Sequence, residues 1–372
     1  MPCDSDCADR RSSTAIRVGA GGAAMERLKQ LDGVRGLAAC AVAFGYHTQV
    51  MFDRAVFADG WGGPVIVWLR HYGWAGVDLF FILSGFVFAH VYRFGETLRT
   101  PANLADFTVA RIARLYPLHL FMLGVTAIAF WWMSYNTVGA FIAHLFMLQV
   151  FTQPVARTFD GPSWSISVEI FCYILFAAAA FFGRRTLVAV ACLAIAVSAA
   201  VLLLDGHAGQ PLTSANSLAR GGLGFFIGLL LWRYRALLAR VPTLLLAAIA
   251  VAGLFIPTGM ANPALPFAIL TWPAVLILAL RTRFMGAAPL VWLGDRSYSI
   301  YLLNIPVAEG LLRLTTKFRH WDYGLLTAHM LFAAIVLLLA ELTYRIVERP
   351  AQRIIRNRWK NRRSGLAVAA AA

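Results

Sequence analysis

The chain reads as an all-α, polytopic integral-membrane bundle of about ten transmembrane helices plus one short re-entrant or half-spanning segment. Three observations predict this. Of its 372 residues, 60% are hydrophobic and only 14% charged, against about 25% charged in a soluble domain. Mean hydropathy is +0.68. Apolar runs approaching the roughly 20 residues that cross a bilayer recur along the sequence. The net charge of +15 first suggests nucleic acid, but the basic residues fall in short clusters between apolar runs. That pattern orients membrane spans and excludes a nucleic-acid partner. The lipid bilayer is the expected partner.

Apolar candidates lie near 33–52, 72–92, 115–133, 139–152, 164–182, 186–204, 218–236, 242–258, 265–280, 289–310 and 324–344. Arg27 and Lys29 precede the first run, and the basic stretch RIVERPAQRIIRNRWKNRR follows the last. Both ends therefore favour the cytoplasm, which requires an even number of crossings. The run 139–152, interrupted by His144 and Gln149, reaches only about 21 Å at 1.5 Å per residue. Assigned as half-spanning on the outer side, it leaves ten crossings. All but seven of the 33 Lys and Arg then lie inside, the exceptions being Arg54, Arg70, Arg157, Arg220, Arg313, Lys317 and Arg319. Residues 1–30 read as a flexible cytoplasmic tail, 31–350 as the membrane domain, and 351–372 as a basic cytoplasmic tail. Five cysteines show no metal spacing and no disulfide framework, and the histidines pair into no ligand set, so no metal is expected.

Ionisable residues inside spans are costly and mark functional sites by default. His47 ends the first run, about 18 Å beyond Arg35 along a helix. Asp78 and Glu169 enter their spans from the outer side, at a similar expected depth. An imidazole with a carboxylate to fix its tautomer can take a proton from a hydroxyl. The alternative is three polar groups satisfied separately by neighbouring helices. Arg111 and Arg114, at i and i+3, suit a phosphate-bearing ligand, though such residues also serve as positive-inside anchors. Ser297, Tyr301 and Asn304 form a polar stripe along one helix face, lining a cavity or bonding a neighbouring helix. Gly224-x-x-x-Gly228 reads as a close-packing face, and Glu348–Arg349 as structural.

Six landmarks, LDGVRGLAACAVAFGYH, GWAGVDLFFILSGFVF, RIARLYPLHL, PSWSISVEIFCYILF, SYSIYLLNIPV and VERP, resemble in order the motifs of the membrane acyltransferase type 3 family. The resemblance covers about residues 31 to 350. It implies an acyl-CoA-dependent O-acyltransferase of a bacterial inner membrane, with both termini cytoplasmic. The acyl group, commonly acetyl, would pass from cytoplasmic acyl-CoA, a co-substrate and no bound cofactor, to a carbohydrate such as exopolysaccharide or O-antigen. By the same resemblance His47 and Glu169 would be catalytic, and Arg35, Arg111 and Arg114 would hold acyl-CoA; Asp78 joins the catalytic candidates from its expected depth beside His47. Ser84, with Gly85 and Phe86, matches a packing and cavity motif, and Trp164, Ser167, Ser297, Tyr301 and Asn304 would line the same cavity.

Two departures from the family pattern stand out. Eleven residues separate Arg35 from His47, one more than the family's usual interval, which swings the imidazole by about 100° on a straight helix. A π-bulge near Gly45 would absorb the extra residue; otherwise His47 has left the site. Asn304 stands where many relatives have histidine, and it can hydrogen-bond but cannot carry a proton. Two rival functions remain at this level: a proton-coupled transporter or flippase of glycan-linked lipids, and an inactive relative acting as an assembly partner.

Overall fold

The computed structural model describes residues 27–51, 63–152, 158–204, 213–255, 262–318 and 324–371. Residues 1–26 of the expected tail, Arg54, Arg157, Arg319, His207 and His320 lie outside the described residues. In order the helices are α1 (Lys29–Cys40), α2 (Gly63–Tyr72), α3 (Gly76–Val91), α4 (Pro101–Phe130), α5 (Val138–Leu145), α6 (Trp164–Phe181) and α7 (Arg184–Leu204). There follow α8 (Ser214–Arg233), α9 (Thr243–Phe255), α10 (Ala264–Arg281, with a π turn inside), α11 (Ala288–Phe318), α12 (Gly324–Thr343) and α13 (Arg349–Ala371). No strand occurs among the described residues. The chain is a multi-pass helical membrane protein, as its composition predicts.

Six helical stretches among the described residues are long and apolar enough to cross a bilayer, and Thr243–Phe255 is a shorter apolar helix. α1, α8 and α11 are not among these six and share a feature. They carry Asp32 and Arg35, Arg220, and Asp295 with Arg296, charges that the bundle pairs internally. Two helices outrun their apolar cores. α4 begins at Pro101, where Thr100 caps it by accepting from the Asn103 N–H (3.3 Å) and proline occupies the first turn. The segment after 350 continues as α13 and docks along α4, with the Trp359 indole donating to Asp106 (2.6 Å) and Arg363 pairing with the same carboxylate.

The run expected to half-span holds a short helix. α5 has eight residues, about 12 Å at 1.5 Å per residue. It ends where Met147 takes a positive φ of 56°. Non-helical backbone at membrane depth needs partners for its freed carbonyls. His119 Nε2 meets the His144 carbonyl at 2.8 Å, Tyr116 donates to Leu145 O (2.8 Å) and Ser167 Oγ to Met147 O (2.6 Å). The broken helix is therefore satisfied by three neighbours on α4 and α6.

The tightest crossing joins α3 and α8. A Cβ on Gly85 would run into the carbonyl oxygen of Phe225, and one on Gly228 into that of Ile82. Backbone cannot yield as a side chain can, so Gly85 and Gly228 are packing requirements. Gly228→Leu should force the helices apart at a cost of about 3 kcal/mol or more. The expected result is a clear fall in thermal midpoint and in monodisperse protein recovered from membranes, read by fluorescence-detected size exclusion.

Candidate functional site

Two parallel helices place His47. α1 and α11 touch through glycine, since a Cβ on Gly36 would lie 2.7 Å from the Gly294 nitrogen. Toward the N-terminal end of α1, Arg27 bonds Asp32 (2.6 Å) and pairs with Asp295 of α11, while Arg35 reaches Asp32 at 3.5 Å. α1 is α-helical only to Cys40. Ala41–Tyr46 opens into a π turn, and the N–H of His47 bonds the carbonyl of Val42, five residues back. A π turn holds one residue more than the α-helix it interrupts. The extra residue between Arg35 and His47 is absorbed there, in the stretch containing Gly45.

The next turn is fixed from two sides. Thr48 Oγ1 donates to Gly45 O (2.6 Å), and Gln49 Nε2 donates to the Arg70 carbonyl (3.0 Å). The imidazole then meets α11, with His47 Nδ1 2.6 Å from Asn304 Oδ1. The amide's orientation follows from its other bonds, because Asn304 Nδ2 donates to Tyr301 O (2.6 Å) and Ile300 O (3.2 Å). Its oxygen must face the ring. The network therefore puts the proton on Nδ1 and leaves the Nε2 lone pair available.

Neither expected carboxylate is this partner. Asp78, expected as an orienting group, gives both oxygens to Arg220, from Nε at 2.9 Å and Nη2 at 3.0 Å. Arg220, counted on the outer side of the membrane domain, is 8% exposed within α8. Its guanidinium lies over Trp74 (4.7 Å) and Trp164 (5.4 Å). A paired, desolvated carboxylate has no oxygen left for the imidazole. Glu169 accepts from Ser84 Oγ (2.6 Å) and from Tyr173 Oη, within electrostatic reach of Arg111.

Arg111 lies 4.8 Å over Phe88, with Tyr92 and Tyr173 each at 6.0 Å, and its Nε has no partner among the described residues. Arg114 pairs with Glu348, which also accepts from Ser299 Oγ (3.0 Å). Arg356 of α13 lies within electrostatic reach of both arginines, and no sequence signal singled it out from the surrounding basic run. The remaining expected lining residues are tied into the frame. Ser167 holds the broken helix, Ser297 Oγ donates to Gly294 O (2.8 Å), Tyr301 Oη donates to Pro162 O (2.9 Å), and Trp164 belongs to the Arg220 site. Of the polar stripe on α11, Asn304 alone reaches the imidazole.

Sequence reading passed over Asp160, directly before GPSW. It is 1% exposed, and neither carboxylate oxygen has a partner among the described residues. Burial, with Glu309 nearby, holds its carboxyl well above the usual carboxylate range.

A sequence model of the acyltransferase 3 family, described as an acyltransferase domain, matches residues 28–344. The chain is 26% identical to the acyltransferase MdmB of Streptomyces mycarofaciens, over 89% of this chain and 93% of that protein. It is 31% identical to protein 2 of the picA locus of Rhizobium radiobacter, over 48% of this chain and 94% of that protein. YrhL of Bacillus subtilis (strain 168), provisionally named a peptidoglycan O-acetyltransferase, shares 27% identity over 77% of this chain and 52% of its own length. No solved structure matches the chain.

The Asp78–Arg220 pair allows a test of structural against catalytic purpose. Asp78→Leu alone strands a buried guanidinium, which costs about 3–5 kcal/mol, and should abolish recovery of folded protein. Asp78→Leu combined with Arg220→Met should restore both folding, read by size exclusion, and acyl transfer.

Proposed function

The chain belongs to the acyltransferase 3 family, and from that premise we propose that it moves an acetyl group from cytoplasmic acyl-CoA to a hydroxyl of a carbohydrate on the outer face of a bacterial inner membrane. The observation that carries this reading is the His47–Asn304 bond at 2.6 Å, which leaves His47 Nε2 as a base with a defined direction. In this reading both termini are cytoplasmic. The arginine cluster of Arg111, Arg114 and Arg356 faces that side, and Arg35 lies at the inner end of α1.

The donor end suits a polyanion. Guanidiniums bind phosphate oxygens in bidentate fashion, and Arg111 has an unused Nε–H. Among the described residues Arg114 pairs with Glu348 and Glu169 lies within electrostatic reach of Arg111, so three neighbouring guanidiniums face two carboxylates and keep a net attraction for an anion. The phosphates of acyl-CoA supply that anion, and the thioester arm extends outward between α1, α4 and α11. Arg35, engaged with Asp32, contributes to the helix frame on which the arm is laid.

At the outer end His47 Nε2 takes the acceptor's hydroxyl proton as the oxygen attacks the thioester carbonyl. The tetrahedral intermediate collapses with loss of the CoA thiolate, and the imidazolium returns the proton to that sulfur. The products are an O-acyl ester and free CoA. Asn304 Oδ1 holds Nδ1–H throughout and keeps the ring from turning.

His47→Ala should lower transfer from [14C]acetyl-CoA by about a hundred- to ten-thousandfold, with unchanged membrane abundance. Near-normal transfer would remove His47 from the chemistry. Asn304→Ala, which frees the ring and its tautomer, should cost about ten- to a hundredfold in kcat. Arg111→Gln should raise the KM for acetyl-CoA about tenfold and leave that of the acceptor unchanged. An unchanged acetyl-CoA KM would overturn the phosphate assignment.

A further inference from the structure

Buried carboxylates in this protein are supplied with donors. Asp78 has Arg220, and Glu348 has Arg114 and Ser299. Asp160 breaks the pattern, with Oδ1 and Oδ2 both buried and unpartnered among the described residues. A second orphan acceptor borders the same turn. Gln149, 2% exposed, donates its Nε2 to Ser163 O (2.7 Å), and its Oε1 has no partner among the described residues. Ser163 joins the two, because its N–H (3.0 Å) and Oγ (2.6 Å) both donate to the Asp160 carbonyl. Three oxygens thus border one turn with no donor offered to any of them among the described residues. Unsatisfied buried groups are rare and costly in native proteins, so this turn is built for donors that come from elsewhere.

The turn is coupled to the proposed catalytic base. Pro162, two residues beyond Asp160, accepts from Tyr301 Oη (2.9 Å). Asn304, one helical turn further along α11, bonds the Tyr301 carbonyl with its nitrogen and His47 with its oxygen. Asp160 also lies within electrostatic reach of Tyr298, Tyr301 and Glu309, all on that helix. Phosphates and carboxylates bring acceptors, which meet at most the one oxygen that carries the carboxyl proton and leave the other two unmet. A metal ion is an alternative donor-free occupant, but no group of three or more His, Cys, Asp or Glu among the described residues could hold one. A polyhydroxyl ligand brings neighbouring O–H donors, which carboxylate and amide oxygens accept.

We propose that Asp160, supported by Gln149, is an acceptor-binding residue that takes hydrogen bonds from the hydroxyls of a polyhydroxylated acceptor while another of its hydroxyls reaches His47. The proposal rests on the acyl-transfer reading and names the group that holds the acceptor. The carboxyl makes no bond within the described structure, so its replacement strands no partner.

The test uses full-length protein purified in detergent, [14C]acetyl-CoA, and surface glycan extracted from cells that lack the protein. Absence of transfer by the wild type would defeat the acyl-transfer reading itself and is thereby distinguished from failure of this proposal. Asp160→Asn should raise the KM for glycan about tenfold, with kcat and the acetyl-CoA KM little changed and a thermal midpoint at or above the wild type's. Gln149→Leu should shift the glycan KM in the same direction by less. An unchanged glycan KM in Asp160→Asn, a shift in the acetyl-CoA KM in its place, or a lowered midpoint would each overturn the proposal. So would transfer that is lost in EDTA and restored by calcium in the wild type but not in Asp160→Asn, which would make the turn a cation site.

Discussion

The bond from His47 Nδ1 to Asn304 Oδ1 spans two helices, and it exists only while those helices keep one axial and rotational register. Three features hold that register. Glycine at 36 and 294 lets the backbones of α1 and α11 meet. The Arg27 guanidinium ties Asp32 to Asp295 near the N-terminal end of α1. The π turn at Ala41–Tyr46 then rotates the far end of α1 by the amount that the surplus residue would have misplaced it. Loss of the π turn alone would swing the ring by about 100°. The reach of the base is therefore set well away from the base itself, by backbone contact and helix geometry.

Three ion pairs elsewhere in the bundle each cross a helix contact. Asp78 on α3 meets Arg220 on α8, Arg114 on α4 meets Glu348 at the start of α13, and Arg296 on α11 meets Glu341 on α12. Buried pairs add little net stability, but separating one is expensive, so they select a single packing over its competitors. This arrangement also weighs against a proton relay. A relay needs groups that gain and lose protons in sequence, whereas both Asp78 oxygens are bound by the Arg220 guanidinium and neither bonds His47. The protein is an acyl-transferring enzyme by family, and its buried charges serve mainly to assemble it.

Sequence alone revealed the multi-pass helical class and the family, because hydropathy and the order of motifs are local properties. It also indicated where the helix had to bulge, since a surplus of one residue leaves few other ways to keep the ring on its face. Partner choice was not legible. Asp78 and Glu169 looked equivalent to each other as companions for His47, yet one is neutralised by an arginine 142 positions away and the other bonds Ser84 and Tyr173. Such pairings depend on helix rotation, which periodicity does not fix when all faces of a helix are apolar. The ends of α4 and α13 were missed for the opposite reason. Their polar halves lie beyond the apolar core and are held by Asp106 to Trp359 and Arg363, contacts that leave no hydropathy signal.

Asparagine at 304 makes sense within the same electrostatic constraint. A carboxylate there would pair strongly with an imidazolium, but in the resting protein it would be a further buried anion beside a neutral ring, with no arginine to meet it. The amide fixes the tautomer with a neutral hydrogen bond and adds no charge to be desolvated. What it gives up is stabilisation of the protonated ring. An imidazolium facing an amide oxygen is held less firmly than one facing a carboxylate, so the proton is best kept on His47 only briefly. That favours attack and proton transfer occurring together, with the thiolate leaving group close enough to take the proton back. The requirement falls on placement of the two substrates, and a neutral partner for the base is tolerable only where both are held in line before the proton moves.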